Sequence, residues 1–162
     1  MTKTALDKEF VNMIKENDRI IYKVASFYAD QDHPLGDLYQ EIVINLWRSF
    51  ASFRGDSKYS TWIYRVSLNT CISFMRRNKS KPVFVEITFD IPQIDDGKRE
   101  NINELYRLIN KLEKIERALV LLYLDDKSYK EIAEITGLTA TNVATKLHRI
   151  KEKMKKMTNN LM

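Results

Sequence analysis

Two groups of residues in this chain carry side chains suited to chemistry, and in both the chemistry is recognition of a polyanion rather than the making of bonds. In the first, Phe53, Arg54, Lys58, Tyr59 and Trp62 interleave rings with cations just ahead of Arg65, Asn69, Ile72 and Arg76. The last four are spaced by four, three and four residues, so a helix sets them on one face. Rings stack on unpaired bases while cations hold phosphates, and the group therefore suits single-stranded nucleic acid. Composition leaves a second reading open, with Trp62 and Phe53 as core residues and Tyr59 as a surface aromatic.

The second group is Thr141, Asn142, Thr145, Lys146, His148 and Arg149. Short polar side chains near a helix start, followed by cations, suit a helix whose N-terminal part enters the major groove of duplex DNA. From Lys146 onward stand six cations, Lys146, Arg149, Lys151, Lys153, Lys155 and Lys156, against the single acid Glu152. That local excess equals the formal net charge of the whole chain, +5, so the basicity is concentrated on this segment. Terminal cations also suit the dipole of a solvated helix end, but six exceed what a cap needs.

Nothing comparable points to catalysis. Cys71 is the only cysteine, which excludes an internal disulfide and a cysteine-clustered zinc site. His33 and His148 lie far apart and in no metal-ligand or nucleophile spacing, and no glycine-rich loop is present to cradle a phosphate. A protein without enzymatic activity, metal or cofactor is expected. No apolar run approaches the ~20 residues that span a bilayer, and MTKTALDKEF lacks the apolar core of a signal peptide. A cytoplasmic location without membrane insertion follows as the expectation.

The elements that must position these groups are helices. Only 4 Gly and 3 Pro, 44% hydrophobic content and almost no alternating segments predict an all-α protein of two small domains. Around the second group, Ser128 and Glu131 have capping-box spacing, which predicts a helix from Tyr129 to Thr136. Gly137 supplies the positive φ of a sharp turn, and Thr139 can cap a following helix whose Val143, Leu147, Ile150 and Met154 face inward. The pattern is that of a helix-turn-helix. An ordinary helical hairpin remains the plainer alternative; Ala133, small and four residues before Gly137, favours a close crossing and hence the first.

Upstream, a stripe of Phe10, Met13, Ile14, Ile20, Ile21, Val24, Ala25 and Tyr28 predicts a helix over 7–29. After the polar break ADQDHPLG, Asp37 and Gln40 match a capping box ahead of Leu38, Ile42, Val43, Leu46, Trp47 and Phe50. A loop over 53–58 leads to a third helix near Ser60, with Trp62, Ile63, Val66, Thr70 and Phe74 on its core face. These elements make a first domain over 1–80. Residues 81–100, with Pro82, Pro92 and no helical period, read as a linker in which VFVEITF can form a short extended segment. A second domain over 101–162 adds stripes of Leu105, Leu108, Ile109 and Leu112, then Ile115, Leu119, Val120, Leu122 and Tyr123.

With these residues in view, DLYQEIVINLWRSFASFRGDSKYSTWIYRVSLNTCISFMRR, over 37–77, resembles the second region of extracytoplasmic-function (ECF) sigma factors. INKLEKIERALVLLYLDDKSYKEIAEITGLTATNVATKLHRIKEKM, over 109–154, resembles their fourth. The two matches stand in the family's order. The resemblance implies a region 2 helical bundle and a region 4 helix-turn-helix joined by a linker, acting as a promoter-specificity subunit of bacterial core RNA polymerase. It further implies that Asp37, Gln40, Glu41 and Trp47 bind the clamp helices of the polymerase's largest subunit, with capping still open for the first two. The segment from Phe53 through the third helix would capture a flipped non-template base, with Arg65 and Asn69 near the pocket. The helix from Thr139 to Lys156 would read a more distant promoter element as duplex. Ala144 and Lys146 depart from a frequent cation and a frequent arginine of the family, so promoter sequence does not transfer. Little chain follows residue 154, so regulation is expected from outside, and the family commonly uses a membrane-linked anti-sigma factor.

Two other functions compete. A stand-alone dimeric helix-turn-helix regulator needs a dimer interface and a two-fold site, and leaves the segment from Phe53 to Arg77 without a purpose. A membrane-surface anchor built on the lysine-rich last helix ranks below it, because that helix's apolar residues can be assigned to the domain core.

Overall fold

The first unit is built around one helix buried over most of its circumference. In the computed structural model, residues 3–53, 55–77 and 104–159 are described; they form seven helices and no strand. The chain divides into two compact units, Met1–Ile87 and Thr88–Met162. The linker expected at 81–100, and the extended segment within it, lie outside the described residues.

In the first unit, α1 (Lys3–Tyr28) starts before the expected residue 7 and is kinked at Asn17, where φ is −120° and ψ is 17°. The Asn17 side-chain amide donates to the Met13 carbonyl at 2.9 Å, a local bond that competes with the regular helix ladder. Phe10 and Met13 are buried before the kink and Ile21, Val24, Ala25 and Tyr28 after it, with Ile14 and Ile20 only half-buried beside it. Asp30 then closes a turn, its carboxylate accepting from the backbone N–H of Asp32 at 3.0 Å and of His33 at 2.7 Å.

α2 (Leu35–Phe50) buries Leu38, Ile42, Leu46 and Phe50, one residue per turn on a single stripe. The capping box expected from Asp37 and Gln40 is absent. Pro34, with φ −62° and ψ 148°, is the N-cap and carries no side-chain cap bond, so the helix begins at Leu35, three residues before the start that an Asp37 cap would give. Proline's fixed φ suits a helix start, and Asp37 falls within the first turn, where its charge complements the dipole.

α3 (Tyr59–Arg77) buries Trp62, Ile63, Tyr64, Ser67, Leu68, Thr70, Cys71 and Met75. Val66 and Phe74, expected on the core face, are half-buried, because the covered arc is centred nearer Ser67 and Cys71. A polar bridge ties α3 to α2, with Asn45 Nδ2 donating to Thr70 Oγ1 at 3.0 Å and that hydroxyl donating to the Val66 carbonyl at 2.6 Å. Each large apolar side chain removed from water stabilises the unit by about 1.5–3 kcal/mol.

The second unit contains α4 over 104–110, α5 (Lys114–Leu124), α6 (Tyr129–Thr136) and α7 (Ala140–Asn159). Leu108, Ile109, Leu112, Leu119, Leu122, Ile132, Ile135, Val143, Leu147 and Ile150 are its core. Leu105, Ile115 and Tyr123 are exposed, contrary to the stripes expected for them. Periodicity locates a helix face without giving the width that its neighbours cover. The end of α4 is closed by Arg117, whose guanidinium donates to the Asn110 carbonyl at 2.9 Å and the Leu112 carbonyl at 3.4 Å.

Candidate nucleic-acid interface

Local backbone chemistry fixes the α6–α7 hairpin. Ser128 is the N-cap of α6, its hydroxyl accepting from the Glu131 N–H at 3.1 Å. Gly137 ends α6 in the left-handed region, φ 82°, with its N–H on the Ala133 carbonyl at 2.9 Å. Thr139 Oγ1 accepts from the Asn142 N–H at 3.1 Å and starts α7. The cap at Ser128, the turn at Gly137 and the cap at Thr139 match the sequence expectation, with the capping box represented by the Ser128 hydroxyl bond.

Val143, Leu147 and Ile150 are buried and Met154 half-buried, which turns the opposite face outward. Thr141, Asn142, Thr145, His148 and Arg149 are exposed there, and Lys146 is half-buried on its flank. Thr145 Oγ1 donates to the Thr141 carbonyl at 3.0 Å, which leaves its oxygen lone pairs outward as acceptors. The outer face therefore combines short polar groups with cations on one rigid helix.

In the first unit the rings form a graded cluster. Phe10 meets Phe50 at 5.3 Å between centroids, Phe50 meets Trp62 at 6.3 Å, Trp62 meets Phe53 at 4.9 Å, and Phe53 stacks on Tyr59 at 4.9 Å and 26°. Exposure rises along the series, from 6% at Phe50 and 8% at Trp62, through half-buried Phe53, to 40% at Tyr59. The two readings left open by composition thus apply to different rings. Trp62 is a core residue and offers no open face for stacking, while Tyr59 presents a ring to solvent and Phe53 lies between them.

Gly55, at φ 75°, turns the loop between α2 and α3 through a conformation that favours glycine. Lys58 is exposed, and its carbonyl accepts from the Trp62 N–H at 3.1 Å. Arg54 lies outside the described residues. Arg65, Asn69 and Arg76 are exposed along one strip of α3, with Ile72 half-buried among them. Lys58 and Tyr59 stand at the start of the helix that carries this strip.

On α2, Asp37, Gln40 and Trp47 are exposed opposite the buried stripe. Glu41 is half-buried and paired with Arg77 Nη2 at 3.5 Å, a partner that its sequence neighbourhood does not announce. Trp47 packs edge-on against Phe10 at 4.9 Å between centroids while remaining 40% exposed. Tyr39 donates to Asp18; burial, then that hydrogen bond, pushes its hydroxyl up to about 12. Burial likewise pushes the Cys71 thiol up to about 12, so it stays neutral and serves the core.

A helix-turn-helix with a polar, cationic outer face, in one chain with a unit that displays rings and cations, defines a helical DNA-binding protein. Comparison with known proteins gives its family. Residues 13–81 match the model of Sigma-70 region 2 and residues 102–154 that of Sigma-70, region 4. The chain is 33% identical to the RNA polymerase sigma factor YlaC of Bacillus subtilis over 74% of its own length and 75% of the relative's. It is 27% identical to the ECF RNA polymerase sigma-E factor of Haemophilus influenzae, covering 90% of this chain and 86% of that one. Its fold is similar to CnrH, solved in complex with the cytosolic domain of CnrY, with a TM-score of 0.68 at 15% identity over 95% of this chain and 90% of that one. It is also similar to RpoE of Bartonella quintana, solved with the anti-sigma factor NepR, with a TM-score of 0.67 at 19% identity over 91% and 97%. The chain belongs to the ECF sigma factors, which direct RNA polymerase to promoters in transcription initiation. No helix among the described residues is long and apolar enough to cross a membrane.

Proposed function

We propose that the two units divide promoter recognition between them. The first holds core polymerase through Asp37, Gln40, Glu41 and Trp47 and captures the opened non-template strand through Phe53, Arg54, Lys58, Tyr59, Arg65, Asn69 and Arg76. Trp62 supports this site from beneath Phe53. The second reads an upstream element as duplex through Thr141, Asn142, Thr145, Lys146, His148 and Arg149. The observation that carries the reading is the outward face of α7, exposed from Thr141 to Arg149 while Val143, Leu147 and Ile150 fill the core. The protein acts by binding, without enzymatic chemistry, in the cytoplasm where polymerase works. A dimeric regulator is not favoured, since it gives no purpose to the ring and cation face of the first unit.

Two structural neighbours were solved with partner proteins, one of them named as an anti-sigma factor, which supports control of this chain by a similar partner. The test is run-off transcription with core polymerase from the source organism on genomic fragments, with and without the protein. New discrete transcripts are expected. Their absence together with undetectable core binding would move the assignment to the dimeric regulator.

A further inference from the structure

The cations of α7 are not equivalent. Lys153 Nζ reaches Glu116 Oε1 on α5 at 3.2 Å, and the same carboxylate oxygen accepts from the Glu113 N–H at 3.0 Å. Lys151 Nζ lies 3.1 Å from the Tyr123 hydroxyl and 4.2 Å from its ring centroid. The hydrogen bond to Tyr123 raises the affinity of Lys151 for its proton. Lys155 pairs with Glu152 along the helix at 3.7 Å. Lys146, Arg149 and Lys156 have no such partner among the described residues.

The helical positions agree with this division. Lys151 and Lys153 flank the buried stripe of Val143, Leu147, Ile150 and Met154, one on each side, and both turn back to α5. Arg149 and Lys156 continue the outward line that begins at Thr145, and at ~1.5 Å rise per residue they stand about 10 Å apart along the axis.

We propose that Lys156 is a further phosphate contact on the upstream duplex, and that Lys151 and Lys153 are positioning residues that fix α7 against α5 and leave the DNA backbone untouched. The proposal rests on the reading of α7 as the duplex-binding helix. Only the outward cations then displace counterions from DNA, although all six stand in one basic run.

The experiment uses holoenzyme reconstituted with the full chain and a labelled duplex from a promoter mapped by run-off transcription, titrated across a salt series. Each lost phosphate contact lowers the steepness of log affinity against log salt by about 0.9. Lys156→Gln is expected to lower it by that amount, and Arg149→Gln by at least as much. Lys151→Gln and Lys153→Gln are expected to leave the slope unchanged while lowering the thermal midpoint of the free protein. An unchanged slope in Lys156→Gln, or a drop in Lys153→Gln equal to that in Arg149→Gln, overturns the division. Unchanged promoter affinity in Arg149→Gln at every salt concentration instead removes the duplex-binding reading of α7 itself.

Discussion

The two units present candidate nucleic-acid surfaces built on different plans. On α7 the outward face and the buried stripe are separate sets of residues, so Arg149 and Leu147 do different jobs two positions apart. In the first unit the candidate surface grows out of the core, since the rings run from buried Phe50 through Trp62 and Phe53 to exposed Tyr59. A separated face can change its reading without cost to folding. A surface continuous with the core cannot, but it holds its groups rigidly, which matters where a base must be taken from the stack at a cost of a few kcal/mol.

The sharpest way to break this contrast is at Trp62. Trp62→Ala is expected to destabilise the first unit by about 3–5 kcal/mol, seen as an early transition in chemical denaturation, and to abolish promoter opening with it. Tyr59→Ala, at the exposed end of the same series, is expected to leave the transition nearly in place while slowing opening in a permanganate footprint. Similar destabilisation by both would mean that the rings form no gradient from core to surface.

On α7 the same pair of measurements should come apart completely. Leu147→Ala removes a buried side chain and is expected to cost about 2–5 kcal/mol of stability. Arg149→Ala is expected to leave stability unchanged and to weaken duplex binding by about 1–3 kcal/mol, roughly tenfold to a hundredfold, with core polymerase affinity spared. Asn69→Ala on α3 should do the reverse of Arg149→Ala, sparing duplex affinity and reducing opening. Equal loss of polymerase affinity in the Asn69 and Arg149 variants would remove the division of labour.

How far each plan was legible in the sequence follows from the same difference. The hairpin could be read residue by residue, because Ser128, Gly137 and Thr139 act on backbone within four residues of themselves. The rings could not be ranked, because whether Trp62 or Tyr59 is covered depends on Phe10 and Phe50, which are remote in sequence or belong to another helix. The Glu41–Arg77 and Glu116–Lys153 pairs were equally silent, since each joins helices whose relative placement no local pattern encodes. The six cations of the last helix looked like one charge run for that reason, and only the partners on α5 divide them.

The smallest effects test where local reading succeeded and failed on the same motif. Ser128 with Glu131 and Asp37 with Gln40 have the same spacing, yet only Ser128 caps a helix, because Pro34 begins α2 before Asp37 can. Ser128→Ala should therefore cost about 1 kcal/mol of stability, measured by denaturant unfolding. Asp37→Asn gives up only a favourable interaction with the helix dipole, about 0.3–1 kcal/mol at low salt and less as salt screens it. If Asp37 is instead kept for the polymerase, its exposed carboxylate should matter more in the complex than in the free protein, and Asp37→Asn should weaken holoenzyme assembly by more than it weakens folding. A larger loss of folding stability than of polymerase affinity would return Asp37 to a structural role and leave Gln40 and Trp47 as the exposed members of that face.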